Sequence, residues 1–415
     1  MKYYRELLGV ACLGFGLVAS SAAFADSEVS TDGGVMIGKK TDDFWFSVGG
    51  GLRFDQIFFT GNAQSRGSQF RSGADIHRSW LDFDGGVGEN ITYSIDFSIG
   101  TDAKLKLGDA FATYKGFGKD FDVSVGQLSP GFSLQSTSSS KWTAFLERSL
   151  DASAFNVTSG LGANLTKWSN QYSVNISAIQ PKKGETPHNA AGADLNRNDR
   201  WTVATRVTYN PFVCLDEHKV FQIGGSASYH DDSNAGITFR TFPEAHNRNT
   251  GYALTTDDAS NLANPTKHIG ARHHEIYAVE ISGQNGPFYA ESEYHIARVE
   301  RSRGKGENLR FNGWHVQATY VLTGEARTYK ARSGTFEQVI PNSERGAWEV
   351  AARYSTVKLN SKDIRGGVGK NATLGVNYYA NKNIKVAANY IRSKQKKDTE
   401  NRKLNIFGVR LQLVF

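Results

Sequence analysis

The sequence predicts an all-β chain, a transmembrane antiparallel β-barrel of about sixteen strands. Three observations carry this. Apolar and polar residues alternate with a period of two, the composition is polar on average despite many aromatics, and the connections are short and long by turns. Successive side chains of a strand point to opposite faces, so such a segment has one apolar and one wet face. Ile91, Tyr93, Ile95, Phe97 and Ile99 alternate with Thr92, Ser94, Asp96 and Ser98. In the final strand Phe407, Val409, Leu411, Leu413 and Phe415 share one face, and Arg410 and Gln412 the other.

A soluble sandwich alternates in the same way, so other features must decide. Mean hydropathy is -0.44, yet 12% of residues are aromatic, with 43 glycines and only 8 prolines. After the amino terminus no apolar stretch approaches the roughly 20 residues of a spanning helix. A membrane barrel has this composition because lumen-facing and lipid-facing residues cancel in the average.

The amino terminus reads as a secretory signal: Lys2 and Arg5 precede an apolar run from Leu7 to Val18, and Ala23-Phe24-Ala25 offers a cleavage site. The expected division is a signal peptide over 1–25, a short periplasmic segment over 26–43 and a barrel over 44–415. Cys12 lies inside the apolar run, which argues against lipidation. Cys214 is then the one cysteine of the mature chain, so no intrachain disulfide is expected.

Period-two segments bounded by turn residues fall near 44–58, 74–86, 90–100, 105–116, 120–128, 157–168, 171–181, 200–210, 218–230, 272–283, 286–299, 310–323, 345–359, 370–380, 383–394 and 402–415. Tight connections such as Gly86-Val87-Gly88-Glu89 and Asn381-Lys382-Asn383 alternate with long ones at 59–73, 129–156, 182–199 and 231–271. Short periplasmic turns and longer external loops orient such a barrel. The segment 324–344 is long where a short turn is due, which implies a periplasmic excursion or a local slip in the strand count. Sixteen strands enclose an aqueous channel, whereas eight would be filled by their own side chains. Phe44, Trp45, Trp80, Trp168, Trp201, Tyr209, Trp314, Trp348, Tyr378 and Tyr390 lie near strand ends and suit aromatic girdles, some of them lumenal instead.

Gly108 to Tyr114, Val125-Gly126-Gln127, Phe132-Ser133-Leu134, Glu147-Arg148, Trp314 to Tyr320 with Leu322-Thr323-Gly324-Glu325, Gly346 to Ser355, Asn371 to Tyr379, Asn381-Lys382-Asn383 and Val386 to Tyr390 form a set of blocks. Together they resemble the phosphate-selective porin O and P family. The resemblance covers nearly the whole mature chain and is strongest after residue 311. It implies a sixteen-stranded trimeric outer-membrane channel of a Gram-negative bacterium, with one loop folded inward as a constriction, and it accounts for the long 324–344 connection. It leaves the solute open.

Charge bears on the solute. The net charge is +7, or +6 without Lys2, Arg5 and Glu6 of the signal. Arg53, Arg78, Arg206, Arg353, Lys385 and Arg410 fall on the polar faces of six strands, and rings of cations in a low-dielectric wall favour anions. The same faces carry Asp55, Asp82, Glu280, Glu291, Glu293 and Glu349. The segment 129–156 is the candidate constriction loop. Its Ser138, Ser139, Lys141 and Arg148 combine hydroxyls with cations, a set suited to an oxyanion. Asp109 matches an acidic position of the family motif and would orient a neighbouring cation. Ile76-His77-Arg78-Ser79-Trp80 departs from the family by placing a histidine where a further cation is usual, which puts strict phosphate selectivity in doubt.

The basic stretches 298–310 and 392–403 are expected in external loops, solvated or facing lipopolysaccharide phosphates. No nucleic-acid surface, nucleotide fingerprint, catalytic serine or cofactor motif is found, and His268, His273 and His274 have no helix to present them to a metal. The expectation is a porin for small anions, phosphate first, with outer-membrane lipid, lipopolysaccharide, sister subunits and, through Phe415, the barrel-assembly machinery as partners. A general diffusion pore and a surface protein with binding loops are the alternatives.

Overall fold

The computed structural model describes residues 44–61, 70–100, 104–181, 200–232, 236–248, 250–256 and 269–415. The expected signal peptide, the segment 26–43, the loop 182–199 and His268 lie outside the described residues. The wall begins with β1 (Phe44–Gly61), β2 (Gly73–Val87), β3 (Ile91–Gly100), β4 (Leu105–Tyr114), β5 (Phe121–Leu128), β6 (Gly160–Trp168), β7 (Tyr172–Pro181), β8 (Thr202–Cys214) and β9 (Lys219–Asp231). Three two-residue strands, β10 (Gly236–Ile237), β11 (Arg240–Thr241) and β12 (Leu254–Thr255), sit in the connection to β13 (Ile269–Asn285). Then come β14 (Phe288–Arg301), β15 (Leu309–Val321), a small hairpin of β16 (Arg327–Lys330) and β17 (Thr335–Val339), and finally β18 (Ala347–Ser361), β19 (Ile364–Tyr379), β20 (Ile384–Lys397) and β21 (Glu400–Val414).

Each wall strand pairs antiparallel with the one before it, and β21 returns to β1 from Gly51↔Val414 to Gly61↔Leu404. The result is a closed barrel of sixteen strands. Closure leaves no backbone edge in hydrocarbon. The alternation expected from sequence is visible in burial, with Leu374, Val376, Val386, Tyr390, Phe407 and Leu411 exposed on the outside and their neighbours buried.

Strand limits differ where the outside stops being apolar. Residues 392–397 and 400–403 belong to β20 and β21, joined only by Asp398-Thr399, and are not an external loop. Their outward positions are basic, so the hydrophobic period ends while the burial period continues. For the same reason β19 starts at Ile364 rather than near 370. Residues 298–301 likewise extend β14.

The interior is filled from both ends. An apolar cluster of Phe132, Leu150, Phe155, Phe239, Leu254, Phe311 and Leu359 packs chain from the 129–159 and 232–256 loops against the wall. At the seam, β1 approaches its neighbours too closely for a side chain at Gly51, where a Cβ would lie 2.4 Å from the Leu413 carbonyl oxygen and the Trp80 ring. Gly51→Val should therefore abolish the heat-modifiable folded form on a denaturing gel, whereas Gly225→Ala, whose Cβ meets only a carbonyl at 3.6 Å, should leave it intact.

Candidate functional site

After β5 the chain turns into the barrel. Its inner segment is built of short capped pieces: α1 (Leu134–Thr137), a 3-10 turn at Ser140–Trp142 and α2 (Leu150–Ala154). The serines of this stretch explain why. Ser133, Ser139 and Ser149 each accept from a backbone N–H at the start of one piece, satisfying donors that a short helix leaves open.

The wall holds the loop from two sides. On β14 and β15, the Glu293 carboxylate accepts from the N–H groups of Leu134 (2.5 Å) and Gln135 (3.1 Å). The Gln135 amide donates to Glu291 at 2.9 Å, and Asp151 accepts from His295 (2.9 Å) and His315 (3.0 Å). Across the lumen, wall donors take one loop carbonyl after another. Arg53 reaches Ser140 (2.6 Å), Gln412 Lys141 (2.9 Å), Lys385 Thr143 (2.6 Å), Asn377 Ala144 (2.9 Å), Arg410 Leu146 (2.6 Å) and Arg353 Glu147 (3.0 Å).

The sequence-derived residues thus divide into groups. Arg53, Arg353, Lys385 and Arg410 face inward and clamp the loop; Arg410 also grips Asp55 through two bonds of 2.7 and 2.6 Å, and Arg353 bonds Glu244 at 2.8 Å. Arg206 forks onto Glu280 (3.0 and 2.6 Å) and donates to the Gly334 carbonyl at 3.0 Å. Arg148 donates to the carbonyls of Gln135 (2.7 Å), Ser136 (3.3 Å) and Ser138 (3.2 Å), drawing its own loop into a closed turn. Lys141 is ion-paired with Asp82 and lies over the Trp80 ring, as does Arg53. Arg78, half-exposed, is 3.6 Å from Asp96, and Asp109 accepts from Ser129 at 3.1 Å.

Two features escaped the sequence. The 324–344 segment is no excursion into the periplasm: the β16–β17 hairpin folds back into the lumen. Its Arg327 pairs with Glu349 and donates to the Trp142 carbonyl at 3.1 Å, Arg332 bonds Asp122 at 2.6 Å, and Tyr329 donates to Gln222 at 2.9 Å. The second is a β-bulge. Arg53 pairs with Arg78 and Phe54 with Ile76, so His77 is the extra residue and turns inward beside Arg78. His77 lies 3.0 Å from Glu147 and 3.6 Å from Asp55. Asp55, His77 and Glu147 offer atoms close enough to hold a metal ion, but Arg410 already occupies both carboxylates.

Open space remains on both sides of the loop. A cavity of about 290 Å³ lies between the loop, the hairpin and the β4–β8 wall, lined by Ser124, Ser129, Ser136, Thr137, Ser139, Asn164, Thr166, Ser173 and Asn175 with Arg206, Lys330 and Arg332. Another of about 250 Å³ faces the 232–256 loop and is bordered by Arg53, Ser140, Arg148, Glu244 and His246. Ser138 borders the narrow space between loop and hairpin, with Arg327 and Arg353.

A closed sixteen-stranded barrel with a polar interior and chain folded inward is the architecture of an outer-membrane porin. The chain belongs to the phosphate-selective porin O and P family, whose model matches residues 46–415. It is 26% identical to Porin O of Pseudomonas aeruginosa over 99% of both chains. Among solved structures it resembles the anion-selective porin from Comamonas acidovorans (12% identity, TM-score 0.55) and the trimer form of OmpT from Vibrio cholerae (11%, 0.56). Each likeness covers 90% of this chain and 100% of the other. The protein is an outer-membrane anion channel of a Gram-negative bacterium.

The clamp has a pH signature. Burial would raise the Glu147 and Asp151 carboxyls, but His77, His246 and Arg410 around Glu147, and His315 and His295 around Asp151, hold both below the usual carboxylate range. A carboxyl depressed by folding stabilises the fold above its unfolded pKa of about 4 and loses that contribution as pH falls. Single-channel conductance and noise should stay constant from pH 8 to about 5 and rise below about 4 as the loop loosens; a transition well above pH 5 would show that these carboxyls do not control the loop.

Proposed function

We propose that the channel conducts small oxyanions, phosphate first among them, along the hydroxyl-lined passage between the loop, the hairpin and the β4–β8 wall. The observation that carries this is the lining itself. Hydroxyl and amide groups of Ser124, Ser136, Thr137, Ser139, Thr166 and Asn175 surround three cations, Arg206, Lys330 and Arg332, beside two carboxylates, Asp109 and Glu337. Each cation has a carboxylate partner: Glu280 for Arg206, Glu337 at 3.4 Å for Lys330, and Asp122 for Arg332. Paired cations still present N–H donors to an oxyanion while adding little net charge, and a conducting site must bind weakly enough to release. Arg332 and Lys330, with side chains 38% and 51% exposed, are the cations an ion meets.

Membership of a phosphate-selective family and the fold shared with an anion-selective porin point the same way. The near-complete pairing of lumenal charge favours one other reading, a general diffusion pore of modest selectivity. We further propose that residues 1–25 are removed on export, that 26–43 lie in the periplasm, that three copies assemble, and that the protein carries no catalytic step. Phe415, whose N–H donates to the Gly50 carbonyl at 2.9 Å, is the terminal signal read by the assembly machinery, and lipid and lipopolysaccharide surround the barrel.

Zero-current potential across a planar bilayer under a potassium chloride gradient tests this, followed by phosphate addition. An anion-selective potential with saturable phosphate block is expected. Lys330→Ala/Arg332→Ala should weaken the block roughly tenfold. A potential near zero without block would leave the diffusion pore.

A further inference from the structure

The tip of the inward hairpin carries Arg332, in the turn between β16 and β17, and residues of three wall strands hold it. Its Nε donates to the Asp122 carboxylate of β5 at 2.6 Å, and its guanidinium carbon lies 5.7 Å from the centre of the Trp168 ring at the end of β6. Its own carbonyl accepts from the Ser173 hydroxyl of β7 at 2.8 Å. The Asp122 side chain is 2% exposed and that of Arg332 38%, so the carboxylate sits behind the guanidinium and the guanidinium stands in the passage.

The manner of the grip matters. Asp122 takes the Nε corner alone, and among the described residues the two terminal nitrogens of Arg332 have no hydrogen-bond partner. Arg206 differs: its Nε and both terminal nitrogens are taken up by Glu280 and the carbonyls of Ser333 and Gly334. Arg332 is therefore the guanidinium of this cavity whose outer edge of paired N–H donors is open.

Charge alone does not hold an anion here. The three cations that border the cavity, Arg206, Lys330 and Arg332, stand against four carboxylates, Asp109 and Glu337 on the lining and Glu280 and Asp122 as cation partners. What remains is direction. A fork of parallel donors matches two oxygens of a tetrahedral oxyanion, whereas a spherical halide has no second acceptor to offer it.

We propose that Arg332 is the fork that tells oxyanions from chloride in the passage and that Asp122 is its positioning residue. Asp122 turns the terminal N–H groups toward the cavity and cancels the charge that would otherwise hold the ion too long. The hydroxyls of Ser124, Ser136, Thr137 and Thr166 supply donors for the remaining oxygens. Recognition then comes from the arrangement of donors, and release from the lack of excess charge. This rests on the reading of the passage as a phosphate route and names the residues that discriminate within it.

The test measures phosphate block of the chloride current, and the residence time of each blocking event, for the full chain in planar bilayers. Asp122→Asn, which keeps an oxygen for the Arg332 Nε and removes the charge, should tighten block about tenfold and lengthen residence in proportion. Loss of a merely structural contact would loosen both. Arg332→Lys, which keeps the charge without the fork, should weaken block about fivefold, and it decides the matter if Asp122→Asn does not fold. Unchanged or weaker block in Asp122→Asn, or undiminished block in Arg332→Lys, would overturn this assignment alone. Absence of block in the wild type would overturn the phosphate route and the assignment with it.

Discussion

A cylinder of sixteen strands encloses more space than its own side chains can fill. Everything distinctive inside this barrel answers that constraint. The 129–159 loop enters from one end and the β16–β17 hairpin from the other, and they meet where Arg327 donates to the Trp142 carbonyl. Both bury apolar side chains, Phe132, Leu150 and Phe155 of the loop and Phe336 of the hairpin. They are held as well by charge and by backbone carbonyls, which the wall can address because its inward positions are polar.

That arrangement decides what the lumenal cations do. Arg53, Lys385, Arg410 and Arg353 are buried, and a buried cation without partners costs several kcal/mol. Loop carbonyls and the carboxylates of Asp55 and Glu244 supply those partners, so these cations fix the shape of the passage. The lumenal cations with exposure remaining are Lys330 and Arg332, among hydroxyls that need no charge compensation, and the proposed passage runs past them.

Much of this was legible in sequence. Strand number, closure and the inward direction of Arg53, Arg206, Arg353, Lys385 and Arg410 follow from a period of two, because that period is the geometry of the strand itself. The loop at 129–156 was legible from its length and family pattern. The period says which side a residue faces but not what it meets there, so the clamping of loop carbonyls was invisible. The hairpin was missed because Tyr329 and Phe336 look like ordinary turn-end aromatics until their contacts with Gln222 and Tyr289 are known. The bulge at His77 breaks the period by one residue, which a count along one strand cannot distinguish from noise.

The seam between β1 and β21 has a second property. Asp55 on one side and Arg410 and Gln412 on the other are ladder neighbours, and Arg410 and Gln412 are also loop anchors, as is Arg53 opposite Gln412. The first and last strands to leave the ribosome therefore meet around a segment that was synthesised between them. Zipping the cylinder shut and seating its contents draw on the same side chains, so closure of the wall and retention of the loop are energetically coupled rather than independent.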